Sequence, residues 1–358
     1  MALPLWTWLL PALGLGLLIA AAVVGVGPIV AGLCGIGLFG AVLAAVHHAE
    51  VIAHRVGEPL GTLILALAVT IIEASLILSM MFAGGAGMAV LARDSIYAAI
   101  MIICSGVIGL CLFVGGLAHR EQTFRVEGAG AGLGALIVMA CLTLVLPVFT
   151  TSTSGGTYSA KQLAFAAVTS ASLWAIFVFI QTVRHRDYFL PFVSGDDDPD
   201  AHAAPPTVTA AWISFGLLLV ALVAVVGLAK MLSPTIEHAV ESAGAPQAVV
   251  GIVIAALVLL PEAWAATRAA RANRLQTSVN LAIGSALACI GLTIPVVAVA
   301  ALAFDLPLVL GLDPKELVML AMTFLVTNVM LSTGRTHMMH GAVLLVIFAA
   351  FLFLAVVP

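Results

Sequence analysis

Charge is what this chain has least of. Only 8% of its 358 residues are Asp, Glu, Lys or Arg, while 63% are hydrophobic. A soluble domain carries about a quarter charged residues, so this supply could not coat a water-facing surface, and lipid is the solvent that suits it. Excess positive charge is also missing. The formal net charge is −4, which excludes a general nucleic-acid binder. No CxxC spacing occurs among Cys34, Cys104, Cys111, Cys141 and Cys289; all five lie in apolar runs and read as small packing residues rather than a redox or metal set. No Lys or Arg precedes the apolar run Leu5–Val24, although Ala20-Ala21-Ala22 could pass for a cleavage site. Without a basic leader the run reads as a first membrane helix, not a signal peptide. No ATP-binding motif is present either, so an ion gradient is the expected energy source, with no cofactor. The glycines of EGAGAGLGAL at 127–136 have overlapping GxxxG spacings and no strand before them, which fits close helix packing better than nucleotide binding.

What the chain does have is apolar runs. A helix needs about 20 apolar residues to cross a bilayer. Runs near 5–24, 27–46, 60–82, 96–118, 129–149, 162–183, 208–229, 247–267, 279–303, 316–333 and 338–357 qualify, giving an all-α polytopic membrane protein of about 11 transmembrane helices. The basic residues test that count. Arg55, Arg120, Arg125, Arg184, Arg186, Arg268, Arg271, Arg274 and Arg335 fall on the side of the N-terminus, against Arg93, Lys161, Lys230 and Lys315 on the other. The asymmetry puts the N-terminus in the cytoplasm of a bacterial inner membrane. The stretch 184–207, with its clustered prolines and the run Asp196-Asp197-Asp198-Pro199-Asp200, is the natural seam between two halves. The organisation expected is an N-terminal helix (1–26), a five-helix repeat (27–183), an acidic cytoplasmic linker (184–207) and a second five-helix repeat (208–358).

The halves resemble each other. His48-Ala49 with Gly57-Glu58-Pro59 recurs as His238-Ala239 with Gly244-Ala245-Pro246, and an apolar helix follows each. Glu73-Ala74 and Glu262-Ala263 stand at nearly the same depth in those helices. Five is odd, so the second copy enters the membrane from the opposite side. Inverted repeats of this kind characterise secondary transporters, with substrate sites at mid-membrane. A carboxylate inside a bilayer must face the protein interior, be neutralised or bind a cation. Two protons or one divalent cation would cancel the charge of the pair, so protons and cation would compete and exchange would follow. Oxygen-rich ligation of this type suits calcium, and Pro261 should loosen the helix beside Glu262. Thr70, Asn280, Ser285 and Thr293 are candidate neutral ligands, with Asn328 and Ser332 weaker; each hydroxyl could equally bond its own helix.

At these residues the chain resembles the calcium/proton antiporter branch of the cation/calcium exchanger superfamily, and specifically its bacterial sodium(potassium)/proton and calcium/proton antiporters. The resemblance rests on GEPLGTLILALAVTIIEASLI at 57–77, RDYFL at 186–190 and LLPEAWAATRAARANRLQTSVNLAIGSALACIGLTIP at 259–295. It implies one extra helix plus two inverted five-helix repeats, and Glu73 and Glu262 as the acidic ion-binding positions. Many relatives carry Gly-Asn-Ala before each acid; here Val69-Thr70-Ile71 and Val258-Leu259-Leu260 stand there instead. Sodium or potassium therefore stays open beside calcium.

Other polar groups carry weaker signals. His47, Glu50 and His54 fall on one helical face, with His48 beside them, and could sense cytoplasmic pH; a solvated amphipathic connector explains them more simply. His337 and His340 have i, i+3 spacing but no carboxylate near in sequence. The aspartate run would suit a prenyltransferase-like enzyme only with a second such motif, which is missing. A channel would want a continuous polar path, which these helices lack.

Overall fold

The computed structural model describes residues 4–56, 60–83, 88–190, 206–242, 244, 246 and 248–357. Gly57-Glu58-Pro59, Ala245 and the acidic run Asp196–Asp200 lie outside the described residues. Eleven helical segments follow one another: α1 (Leu5–Val24), α2 (Pro28–Val56), α3 (Leu60–Ala83), α4 (Met88–Met101, continued through a π turn at Ile102–Val107 into Ile108–His119), α5 (Val126–Ala140, a π turn at Cys141–Val145, then Leu146–Phe149), α6 (Ala160–Phe179 with a π turn at Ile180–Arg184), α7 (Val208–Ser242), α8 (Ala248–Arg271), α9 (Leu275–Ala288, a π turn at Cys289–Thr293, then Ile294–Phe304), α10 (Pro314–Leu331) and α11 (Met338–Val356). Two three-residue strands, β1 (Glu121–Thr123) and β2 (Arg335–His337), complete the chain. Among the described residues ten helices are long and apolar enough to cross a membrane, and α3 adds the apolar segment Thr70–Phe82. The chain is a multi-pass, nearly all-helical membrane protein.

The helices gather into two compact units that cut across the sequence halves. One holds α1, α2, α3 and α7; the other holds α4 to α6 and α8 to α11. In the first, small residues let helices meet backbone to backbone. A Cβ on Gly14 would stand 3.1 Å from Ala224 and 3.3 Å from Ala41, and one on Gly37 would stand 2.6 Å from the Leu17 side chain. α1 buries Thr7, Pro11, Gly14 and Ala21 while Leu5, Trp8, Leu9 and Leu13 stay exposed. Its apolar outer face is suited to lipid.

The second unit shows the inversion directly. β1, after α4, pairs antiparallel with β2, after α10, in the register Glu121↔His337. At the same end Gln122 Nε2 donates to the Ala270 carbonyl at 2.8 Å, beside the α8–α9 link. At the opposite end the α5–α6 link meets the α9–α10 link: the amides of Leu310 and Gly311 both donate to the Gly156 carbonyl, at 3.1 and 2.8 Å. Gly156 has φ +70, and a Cβ there would stand 3.2 Å from Gly311 Cα, so a glycine serves both the turn and the close approach. The α4–α5 turn and its counterpart, the α9–α10 turn, thus lie at opposite ends. The π turns repeat as well, in α4 and in α9 at corresponding depth.

The π turn in α5 has a local consequence. Leu146 N bonds the Cys141 carbonyl, and Pro147 has no N–H to offer, so the Leu142 carbonyl loses its helical donors. The Tyr158 hydroxyl takes their place, donating at 2.6 Å. Burial and the nearby Cys141 thiol hold that phenol above its usual pKa.

Candidate functional site

Each glutamate sits inside an apolar helix and away from solvent. Glu73, in α3, is 4% exposed, and Thr70 one turn earlier is also 4% exposed. With i, i+3 spacing the hydroxyl and the carboxylate share one helix face. Glu262, in α8, is 8% exposed. Pro261 precedes it in a helix that runs on without a break from Ala248 to Arg271; the missing N–H leaves the Leu257 carbonyl without its i+4 partner, one turn from the acid. One turn after the acid, Thr267 Oγ1 donates to the Ala263 carbonyl at 2.7 Å and lies 3.9 Å from Cys111 Sγ of α4. Among the described residues no group of three or more His, Cys, Asp or Glu side chains is placed to hold a metal ion.

The neutral candidates divide. Asn280 uses both amide groups within the protein: Nδ2 donates to the Phe189 carbonyl at 2.6 Å and Oδ1 accepts from Gln276 at 2.9 Å. That geometry braces the segment after α6. Ser285 is partly exposed on α9, whereas Thr293 is fully buried in the π turn. Asn328 is exposed, and Ser332 Oγ donates to the Val329 carbonyl of its own helix at 2.9 Å. The His337 and His340 rings lie tilted against each other, with centroids 4.1 Å apart and planes at 34°.

The histidine segment is buried on one side and exposed on the other. α2 continues to Val56, and His48 is 0% exposed. Its Nε2 donates to the Thr7 carbonyl at 2.9 Å. Thr7 accepts because Pro11, four residues on, cannot donate to it. His47 is half-buried against Trp6, with ring centroids 5.0 Å apart, while Glu50 and His54 are exposed.

Sequence reasoning missed a second set of buried charges. Arg93 and Asp94 of α4 pair at 2.8 Å from Nε to Oδ1, and Arg93 Nη1 donates to the Gly311 carbonyl at 2.9 Å. Glu316, in the first turn of α10, is 8% exposed and caps its helix, accepting from the Asp313 amide at 3.1 Å. The capping-box spacing Asp313–Glu316 was the legible signal. Arg93 counted only as a loop cation because its helix begins earlier than its apolar run.

Buried acids on apolar helices, within inverted repeats, define a membrane ion exchanger of the secondary-transporter class rather than an enzyme. The chain belongs to the sodium/calcium exchanger protein family, whose pattern matches residues 11–183 and 213–357. It is 47% identical over 358 residues to the ionic transporter y4hA of Sinorhizobium fredii, covering 99% of this chain and 97% of that one. It is 36% identical to the sodium-potassium/proton antiporter ChaA of Escherichia coli, over 88% of this chain and 86% of the relative. The crystal structure of the Ca2+/H+ antiporter protein YfkE shares the fold, with a TM-score of 0.75 at 17% identity, covering 98% of this chain and 99% of the other.

Proposed function

We propose that the chain is a secondary active cation/proton antiporter of a bacterial inner membrane, exporting calcium in exchange for protons by alternating access. The observation that carries this reading is the burial of Glu73 and Glu262, at 4% and 8% exposure, in helices otherwise built from apolar residues. Their matched places in the sequence repeat support a joint role as proton and cation ligands. An empty ionised carboxylate in a low-dielectric surrounding is unstable, so protons or a cation must load the acids before access changes. Protons and cation compete for the same oxygens, and exchange is then obligatory. Thr70 supplies a hydroxyl oxygen beside Glu73. The nine-to-four distribution of basic residues supports a cytoplasmic N-terminus.

A second reading, sodium or potassium as the exported ion, is favoured by one specific feature. No amide side chain precedes either acid, since Val69-Thr70-Ile71 and Val258-Leu259-Leu260 stand there, and the relative ChaA is named for sodium and potassium. Inside-out vesicles with a pre-acidified interior separate the readings. Calcium, sodium or potassium is added in turn to wild type, Glu73→Gln and Glu262→Gln, and lumenal pH is followed by dye fluorescence. One cation should release protons from wild type and from neither variant. Variants that match wild type would make both acids structural.

A further inference from the structure

The buried charges of the second unit sit beside a cavity of about 50 Å³, lined by Asp94 and Tyr97 of α4, Ile252 of α8, Glu316 and Met319 of α10 and Phe351 of α11. That room holds a few waters or one partly hydrated small ion. Ile252 and Glu262 are ten residues apart on α8, so the cavity lies roughly 15 Å along the helix from the glutamate discussed above.

Charge balance there is incomplete. Asp94 is 5% exposed and Glu316 8%, and among the described residues the one buried Lys or Arg is Arg93. Its guanidinium is committed to Asp94 and to the Gly311 carbonyl, with the mostly exposed Asp313 at 3.8 Å. Lys315 at the rim is exposed and donates to the Leu354 carbonyl at 2.9 Å. Pro246 and the residues that α8 and α11 bring to the cavity carry no charge: Ala248, Ile252, Phe351, Leu354 and Ala355. One buried arginine against two buried carboxylates leaves one negative charge over, and a buried charge without compensation is strongly unfavourable.

An independent observation points to a ligand. Tyr97 is 4% exposed and lines the cavity, its ring set edge-on to Phe351 at 5.6 Å. Its hydroxyl is within electrostatic reach of Glu316, yet it makes no hydrogen bond among the described residues. The phenol of this buried ring lines the same cavity as Asp94 and Glu316 and offers a third oxygen to whatever occupies the space.

We infer that Asp94, Glu316 and Tyr97 form a second cation site, separate from Glu73 and Glu262, that takes up a single positive charge: an alkali cation or a proton. Two carboxylates, one of them already paired with Arg93, supply too little net charge for a dehydrated divalent ion. The residual charge of one matches a monovalent occupant.

The test uses full-length protein in lipid nanodiscs carrying Glu73→Gln and Glu262→Gln together. With both acids neutral, the result is independent of the antiport reading. Thermal unfolding is followed while choline chloride is replaced by sodium or potassium chloride at fixed ionic strength, and separately as pH is varied in choline. Saturable stabilisation by sodium or potassium, lost on adding Glu316→Gln, establishes an alkali site. Stabilisation only on lowering pH, again lost with Glu316→Gln, establishes a proton site. Tyr97→Phe keeps the ring packing on Phe351 and serves if Glu316→Gln fails to fold; it should weaken the response about tenfold, as expected for losing one hydrogen bond to a charged partner. Identical curves in choline, sodium and potassium, with a pH response unchanged by either substitution, would overturn the site. Stabilisation by calcium alone would overturn it too.

Discussion

Replacing Arg93 by methionine tests how the second unit holds its buried charge. The guanidinium joins α4 to the α9–α10 link through the Gly311 carbonyl at 2.9 Å and holds Asp94 at 2.8 Å, with side-chain exposures of 10% and 5%. Methionine keeps most of the stem but offers no donor. Breaking a buried pair by removing one member costs about 3–5 kcal/mol, because the other charge is stranded. Neutralising both members removes the stranded charge and leaves mainly the lost bond to Gly311, about 1.5–3 kcal/mol. Arg93→Met combined with Asp94→Asn should therefore be more stable than Arg93→Met alone by about 1–3 kcal/mol. Unfolding in mixed micelles of dodecylmaltoside and increasing SDS, followed by far-ultraviolet circular dichroism, measures the difference. If the double variant is no more stable than the single one, Asp94 is not the charge that Arg93 compensates.

Other consequences follow from the packing. A Cβ on Gly341 would lie 2.2 Å from the Phe113 amide and 2.6 Å from the Gly109 carbonyl. Gly341→Ala should thus force α4 and α11 apart and cost about 1–3 kcal/mol, whereas Gly130→Ala, with nothing within 4 Å, should be neutral or stabilising in the same unfolding assay. Cysteines at Glu121 and His337, cross-strand partners in the β1–β2 register, should form a disulfide on mild oxidation, seen as a mobility shift on a non-reducing gel. A pair at Glu121 and Arg335 should not. With the N-terminus cytoplasmic, an impermeant maleimide should label Ser154→Cys on intact cells and Thr123→Cys only after permeabilisation; the reverse pattern would invert the proposed orientation.

The helices were legible because each apolar run is long and bounded by polar residues, and all eleven lie where hydropathy puts them. Their ends were not. α2 runs on past His47 because α1 buries His48 through a carbonyl that Pro11 sets free, and a hydropathy reading stops at the first polar residue. α4 likewise starts before Arg93 and Asp94, which hide their charges in each other and in the α9–α10 link. The glutamates stood out because a carboxylate in an apolar run has few other uses. The bonds of Asn280 to Phe189 and Gln276 were not legible, because composition shows which side chains can bind a cation, not which already bind a neighbour. The β1–β2 pairing joins segments more than 200 residues apart, and no local pattern encodes it or the π turns. The inversion was only hinted at by imperfect sequence offsets, yet it is plain in the two opposite link pairings.

Competition between protons and cation at Glu73 and Glu262 is the central claim, and proton release on binding tests it most directly. Purified protein in weakly buffered detergent solution is titrated with calcium, then with sodium and potassium, while solution pH is recorded. Protons should leave wild type as one of these cations binds, and the release should be lost in Glu73→Gln and in Glu262→Gln. Cation binding without proton release, or release undiminished in both variants, would contradict it.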